Sequence, residues 1–112
     1  MRIIEQPTSL KQIREERKVA FEELLKIVVD VKKNLIALDT EMNADLEHLL
    51  LQDGSSQQDL WGANIYPLRE TKDQLEFTSL INIRPAMDNR SMEVTDPRIR
   101  KQIKQIVSKL LK

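Results

Sequence analysis

The chain has 112 residues, 40% hydrophobic and 32% charged, and its 18 basic and 18 acidic side chains cancel. This usage predicts one globular domain over residues 1–112, excludes a disordered chain, and leaves no apolar run long enough for a membrane span. The absence of cysteine excludes disulfides and thiolate sites, and residues 1–10 lack a signal-peptide core, so we expect a cytoplasmic location.

The first residues predict a short strand followed by a helix. RIIE at residues 2–5 is the strand candidate, and Pro7 ends it because proline has no amide hydrogen for a sheet ladder. Thr8 or Ser9 then caps a helix, since both hydroxyls can accept a hydrogen bond from a first-turn amide. Apolar residues three positions apart give this helix one buried face.

The next stretch predicts a β-hairpin. LLKIVVDV (residues 24–31) and NLIALD (residues 34–39) are rich in β-branched residues, which favour strands over helix. Asn34 lies between them and tolerates the positive φ of a tight turn. We therefore place a break between the first helix and this hairpin near residues 21–23.

A second helix is predicted after the hairpin. Asn43 is its N-cap candidate, and Asp45 and Glu47 fall in the first turn, where the helix dipole favours acids. Gly54 fits the C-terminal end, because glycine adopts the left-handed conformation that often ends a helix.

WGANIYP predicts a strand that Pro67 ends. Its alternation puts Trp61 on one face and Gly62 and Asn64 on the other. The absence of a side chain at Gly62 allows another backbone or a ligand to approach closely. For Trp61 we weigh a core position against a ligand platform and favour the core.

The last third predicts a long strand and a helix. LEFTSLINIR (residues 75–84) has the longest strand pattern in the chain. One face of it carries Leu75, Phe77, Ser79, Ile81 and Ile83, and the other carries Glu76, Thr78, Leu80, Asn82 and Arg84. Asp96 followed by Pro97 is typical of a helix start, and an apolar stripe follows it. The predicted order is β-α-β-β-α-β-β-α, an α+β fold with a mainly antiparallel sheet and helices packed on one side.

Charge is distributed unevenly along the chain. Six acids and no base lie between Asn34 and Leu68, and six bases and no acid lie from Arg98 to Lys112. One interpretation is that the two segments neighbour and neutralise each other, within a chain or across a dimer. The other is a basic face for nucleic acid, which the sequence pI of 6.6 disfavours.

Three blocks of the sequence carry a family resemblance: VVDVKKNLIALD, ADLEHLLLQDGSSQQDLWGANIYP and SLINIRPAMDNRSMEVTDPRIRKQI. Through them the chain, from about Phe21 onward, resembles a family of small prokaryotic proteins classed as a domain of unknown function. The resemblance implies one domain with this element order and no established activity. Similar proteins tend to have histidine at the position of Asn43, which weakens a metal hypothesis built on that position.

An Asn- and Arg-rich group is the first candidate site. Its members are Asn64, Asn82, Arg84, Asn89 and Arg90. Two planar guanidinium groups offer paired donors to a phosphate or carboxylate, so the group predicts an anion-compatible patch. The alternative is that these side chains bond internally, to the acidic segment or to loop carbonyls.

The acidic segment is the second candidate site. Asp39, Glu41, Asp45 and His48 combine three carboxylates with the only histidine, a donor set that divalent cations accept. The alternative assigns these side chains to helix-dipole and surface positions, because their spacing matches no established metal motif.

Two classes of function follow from these candidates. We favour a non-enzymatic association or binding module, acting as a homo-oligomer or on a protein partner, with no cofactor. The alternative is a small metal-assisted, hydrolase-like enzyme using the acidic segment and His48. With two glycines in the chain, no glycine-rich phosphate-binding loop can form.

Overall fold

A computed structural model of the protein describes residues 1–17 and 24–112. Its elements in chain order are β1 (Arg2–Ile4), α1 (Leu10–Arg17), β2 (Leu25–Asp30), β3 (Leu35–Leu38), α2 (Asn43–Gln52), β4 (Leu60–Ile65), β5 (Leu75–Glu76) and α3 (Pro97–Leu110). The predicted α+β class and element order are confirmed. The predicted break near residues 21–23 lies outside the described residues. Within them, no helix has the length and apolar character that crossing a membrane requires.

The five strands form one antiparallel sheet in the order β1-β3-β2-β4-β5. The predicted hairpin of β2 and β3 is confirmed, and Asn34 in its turn has a φ of 58°. The buried carboxylate of Asp30 accepts the amides of Lys32 and Lys33 at 2.9 and 2.8 Å and the Ser55 hydroxyl at 2.6 Å. This carboxylate therefore stabilises the turn and joins it to the chain after α2.

The helices cover both faces of the sheet. On the first face, α1 and α3 pack on the sheet through Ile4, Leu10, Ile13, Ile27, Val29, Ile36, Leu38, Trp61, Ala63, Ile65, Ile103, Ile106 and Leu110. On the second face, α2 packs on it through Val28, Leu35, Ala37, Leu46, Leu50 and Leu60. The prediction of all helices on one side is wrong, because every residue of β3 is buried and such a strand needs cover on both faces.

This placement separates the acidic helix from the basic helix. α2, with Asp45 and Glu47, lies on the second face, and α3, with its lysines and arginines, lies on the first. α2 and α3 therefore do not neutralise each other by packing together. Neutralisation between the wider acidic and basic segments, within a chain or across a dimer, stays a prediction.

Of the three helix ends predicted for α1 and α2, two agree with the structure and one does not. Ser9 accepts the Gln12 amide at 3.1 Å at the start of α1, and Gly54 follows the end of α2 with a φ of 102°. The N-cap of α2 is Met42 and not Asn43. Asn43 instead donates from Nδ2 to the Ile27 carbonyl at 2.8 Å, so packing against β2 moves it into the helix.

The long strand predicted at LEFTSLINIR is wrong. β5 ends at Glu76, and 3-10 turns follow at Leu80–Asn82 and Pro85–Met87. The Ser79 hydroxyl accepts the Ile81 amide, a local bond that favours a turn over an extended chain. Residues 77–96, here called the connecting segment, therefore form a series of turns and short contacts along the outer edge of β4.

The start of α3 agrees with the prediction. Asp96 is the N-cap, its carboxylate accepts the Arg98 amide at 2.8 Å, and Pro97 begins the helix. The Arg98 side chain also donates to this carboxylate, which lowers the pKa of Asp96 below its usual value. A carboxyl group whose pKa is lower in the folded than in the unfolded chain stabilises the fold in its ionised form.

We expect Asp96 to make stability pH-dependent in acid. Its contribution is present above the unfolded pKa, about 3.9, and is lost as the pH falls through the lower folded pKa. Asp96→Asn keeps a capping oxygen and removes the titrating charge. The difference in Tm between the two proteins should therefore be larger at neutral pH than at about pH 3. An equal difference at both pH values in thermal unfolding would contradict this expectation.

Candidate functional site

The side chain of Asn82 joins the connecting segment to the edge of β4. It is fully buried, and its Oδ1 accepts the Gly62 amide at 2.8 Å. Its Nδ2 donates to the carbonyls of Gly62 and Met92 at 2.9 and 3.0 Å. The amide thus bonds both backbone groups of Gly62, as a neighbouring strand would.

Gly62 lets the connecting segment approach this closely. A Cβ at this position would lie 2.4 Å from the Ser79 Cβ and 2.5 Å from its Oγ. A close approach at Gly62 is observed as predicted, but the Ser79 side chain makes it and not a backbone or a ligand. Trp61, on the opposite face of β4, is 3% exposed, which confirms its predicted core position.

Asn89 organises the second half of the connecting segment. It is 2% exposed, and its Nδ2 donates to three backbone carbonyls, those of Asn82, Ser91 and Glu93, at 2.7–3.0 Å. Its Oδ1 accepts both the amide and the hydroxyl of Thr95, at 2.9 and 2.7 Å. One side chain therefore fixes four points of the segment.

Arg84 joins the segment to α2. Its guanidinium donates to the carbonyls of Ile81 and Gln57 at 3.1 and 2.9 Å and to the Glu47 carboxylate at 3.2 Å. It also lies over the Trp61 ring, 4.9 Å from the centroid. Burial lowers the pKa of Arg84, and the Glu47 carboxylate acts in the opposite direction.

A cavity of about 280 Å³ lies between the connecting segment and the start of α2, on the second face of the sheet. Its floor includes Lys26 and Asn64, which are opposite one another in the pairing of β2 with β4. Its rim carries three exposed apolar side chains, those of Met42 (58% exposed), Leu80 (72%) and Met92 (40%). Exposed apolar side chains around a cavity are typical of an interaction site.

Asn64, one of the residues that line the cavity, has a buried polar atom without a partner. The residue is 8% exposed, and its Nδ2 donates to the Glu76 carboxylate at 2.8 Å and to the Thr78 carbonyl at 3.3 Å. Its buried Oδ1 has no hydrogen-bond partner among the described residues. Both neighbours of Nδ2 are acceptors, so they fix the orientation of the amide and leave Oδ1 free to accept.

The start of α2 adds a positive electrostatic potential. Within residues 24–112, no side chain caps this helix, because its N-cap is Met42 and the Asn43 amide bonds β2. The Asp45 amide donates to the Met42 carbonyl at 3.1 Å, which leaves the Asn43 and Ala44 amides to carry the positive end of the helix dipole. Together with the half-buried Lys26, they favour a negatively charged group in the cavity.

The structure separates the predicted Asn and Arg site into different environments. Asn64 lines the cavity, whereas the polar atoms of Asn82, Arg84 and Asn89 bond to the chain itself. Arg90 is exposed and has no ion pair with any described residue. The anion-compatible patch stays a prediction. Of its two arginines, Arg90 is exposed and Arg84 is partly buried.

The predicted metal ligands are mostly surface residues. Glu41, Asp45 and His48 are exposed, and Asp39 is an exposed residue with a φ of 85° at the end of the hairpin. In residues 1–17 and 24–112, no three His, Asp or Glu side chains are placed to hold a metal ion. The described residues therefore give no support to the metal hypothesis.

Sequence reasoning missed the residues that shape the cavity. Lys26, Met42, Leu80 and Met92 were not candidates, because they come from a strand, a helix end and a turn that meet only in the fold. One signal for Leu80 was present. It is the apolar residue on the otherwise polar face of the predicted strand at residues 75–84.

Comparison with known proteins gives one result. A family model described as "Protein of unknown function (DUF5674)" matches residues 2–110. No curated protein and no solved structure matches the chain.

Proposed function

The chain belongs to the DUF5674 family, and we propose that it is a non-enzymatic binding module whose cavity takes a peptide segment of a partner protein. The observation that carries this proposal is the rim of exposed Met42, Leu80 and Met92 around the cavity. Folding alone gives no reason to expose these apolar side chains together, because exposed apolar surface is unfavourable in a free chain.

Methionine supplies four of the eight large apolar side chains that are exposed among the described residues. All four methionines of the chain are more than a third exposed, at 62%, 58%, 41% and 40% for Met1, Met42, Met87 and Met92. Methionine is unbranched and polarisable, so it adapts to differently shaped apolar partners. Met42 and Met92 line the cavity, where such adaptability suits apolar ligand side chains of different shapes.

The form of the cavity favours a segment of chain over a free small molecule. At about 280 Å³ it is near the lower limit for small-molecule sites, which also enclose most of the ligand surface. Here Leu80 is 72% exposed at the rim, so an occupant is covered on one side only. A peptide can insert one side chain and continue across such an open surface.

The wall of the cavity is held in place before any ligand arrives. Asn82 and Asn89 fix the connecting segment at the Asn82 carbonyl, two residues after Leu80, and at and on both sides of Met92. A preformed wall lowers the entropic cost of binding, because its residues need not be ordered by the ligand. In this proposal the asparagines support the site, and Leu80 and Met92 contact the ligand.

Selection from a random-peptide display library tests the proposal. We expect selected peptides to share an apolar residue and to bind Leu80→Glu at least tenfold more weakly, a loss of about 1.4 kcal/mol. Leu68→Glu is the matched control, because Leu68 is 37% exposed and does not line the cavity. Calorimetric titration of both variants measures the difference. Peptides that bind both variants equally, or a selection that enriches none, would contradict the proposal.

A further inference from the structure

A second cavity, here called the α3 cleft, opens on the first face of the sheet. It has a volume of about 360 Å³, and its lining comes from α3 on one side and from the chain between Thr71 and Phe77 on the other. We infer that the α3 cleft binds a small organic anion with one charged end and an apolar body. It shares no lining residue with the cavity of the proposed function, so the two sites are separate.

The apolar floor of the α3 cleft is a part of the first core that packing leaves open. Half of its twelve lining residues are apolar: Leu10, Ile65, Leu75, Phe77, Val107 and Leu111. Leu75, Phe77 and Val107 pack against the core and are only partly buried, so each keeps apolar surface outside it. The volume falls in the range of small-molecule sites, which combine mostly apolar walls with a few polar groups.

The charged groups of the α3 cleft are all positive. Lys72, Lys104 and Lys112 line it, and no acidic side chain does. Lys104 and Lys112 have no ion pair with any described residue. Lys72 meets Glu70 at 3.7 Å, but both side chains are more than three-quarters exposed, and such a pair contributes little. A cleft with charge of one sign and apolar walls concentrates ions of the opposite sign.

Backbone hydrogen bonds hold both walls of the α3 cleft. The Thr8 amide donates to the Leu110 carbonyl at 2.8 Å, and the Lys112 amide donates to the Thr8 carbonyl at 3.0 Å, which fixes the end of α3 beside the start of α1. On the other wall, the Tyr66 amide donates to the Gln74 carbonyl at 2.8 Å. A preformed cleft lowers the entropic cost of binding, because the ligand need not order its walls.

An amphipathic anion matches both halves of this lining, whereas other small ligands match one. A neutral apolar molecule leaves the three ammonium groups without a counter-charge. Inorganic phosphate leaves the apolar floor in contact with water, and lysine lacks the paired donors with which arginine holds a phosphate. The combination of a charged end and an apolar body therefore defines the ligand class.

Methyl NMR of the intact chain tests the inference with octanoate as the probe. Octanol has the same apolar body without the charge, and acetate has the charge without the body. We expect octanoate to shift the methyl resonances of Leu75, Val107 and Leu111 and to bind at least tenfold more tightly than octanol or acetate. The methyl groups of Leu46 and Leu50, in the core of the second face, should not shift.

Two results of this titration would overturn the inference. One is octanoate that shifts no methyl group of the α3 cleft at millimolar concentration, whether or not it shifts others. The other is octanol that binds as tightly as octanoate, because the lysines then select no anion.

Two lysine variants test the charge. Lys104→Met keeps an unbranched side chain and removes the ammonium group, so octanoate should bind it roughly three- to fivefold more weakly, with the affinity for octanol unchanged. Lys101→Met is the matched control, because Lys101 is exposed on the same helix and does not line the α3 cleft. Equal octanoate affinity for the two variants would contradict the role of the charge.

A larger side chain in the α3 cleft tests the position of the apolar body. Val107→Phe takes up part of the volume from the α3 wall, so octanoate and octanol should both lose at least tenfold in affinity. Thermal unfolding checks that the variant is folded, and a folded variant with wild-type affinity for octanoate would place the apolar body elsewhere and overturn the inference. If the variant does not fold, the methyl shifts and the lysine variants decide. None of these substitutions alters the lining of the cavity that the peptide selection tests, so either proposal can fail alone.

Discussion

Replacing Asn89 with alanine is expected to lower the free energy of unfolding by about 3–5 kcal/mol. The substitution removes the shared donor of three backbone carbonyls and the acceptor of the Thr95 amide and hydroxyl. Each buried group left without a partner costs about 1–3 kcal/mol. Where the segment meets solvent, water bonds some of these groups and reduces the total loss. Urea unfolding should show a lower midpoint with an unchanged m value.

Two further variants separate hydrogen bonding from a general sensitivity of this segment. Arg90→Ala changes the next residue, which is exposed, and should alter stability by no more than about 0.5 kcal/mol. Asn89→Asp keeps the shape but turns an acceptor toward the three carbonyls, so it should destabilise at least as much as alanine does. A loss below about 1 kcal/mol for Asn89→Ala would show that the network does not stabilise the segment.

Gly62→Ala is the second substitution expected to have a large effect. The new Cβ would lie 2.4 Å from the Ser79 Cβ, closer than two carbon atoms can approach without a shift of the chain. Because the Ser79 Cβ is fixed to its backbone, the connecting segment must move away from β4. We expect a destabilisation of about 2–3 kcal/mol.

A double-mutant cycle tests this steric explanation. Ser79→Gly removes both atoms that the new methyl group would meet first. The double variant should therefore be more stable than the sum of the single effects predicts, with a coupling free energy of about 1–2 kcal/mol. Strictly additive effects in urea unfolding would place the cause of the destabilisation elsewhere.

The parts of the fold that the sequence predicts are those with a local cause. Asp96 and Pro97 begin α3 through their own side chains, and Asn34 adopts the turn conformation because its backbone tolerates it. The hairpin and β4 follow from β-branched, apolar runs. In each case the deciding interaction lies within a few residues of the chain.

The errors arise where distant residues decide. The pattern at residues 75–84 alternates like a strand, but Asn82 bonds Gly62, 20 positions earlier, and the chain turns instead. Asn43 has the residue type of a cap, but the Ile27 carbonyl takes its side chain. The cavity depends on the same long-range contacts. Of the predicted site residues, Asn64 alone lines the cavity. It could be a candidate because a polar residue on a predicted strand is visible in the sequence itself.

Asn82 has a consequence for assembly as well as for folding. An unfinished sheet edge is a template on which another molecule can add a strand, and repeated addition leads to aggregates. At Gly62 the edge of β4 ends in a side chain, which takes up one donor and one acceptor and presents no further backbone ladder. The sheet is thereby capped against growth at the position where glycine leaves its backbone most accessible.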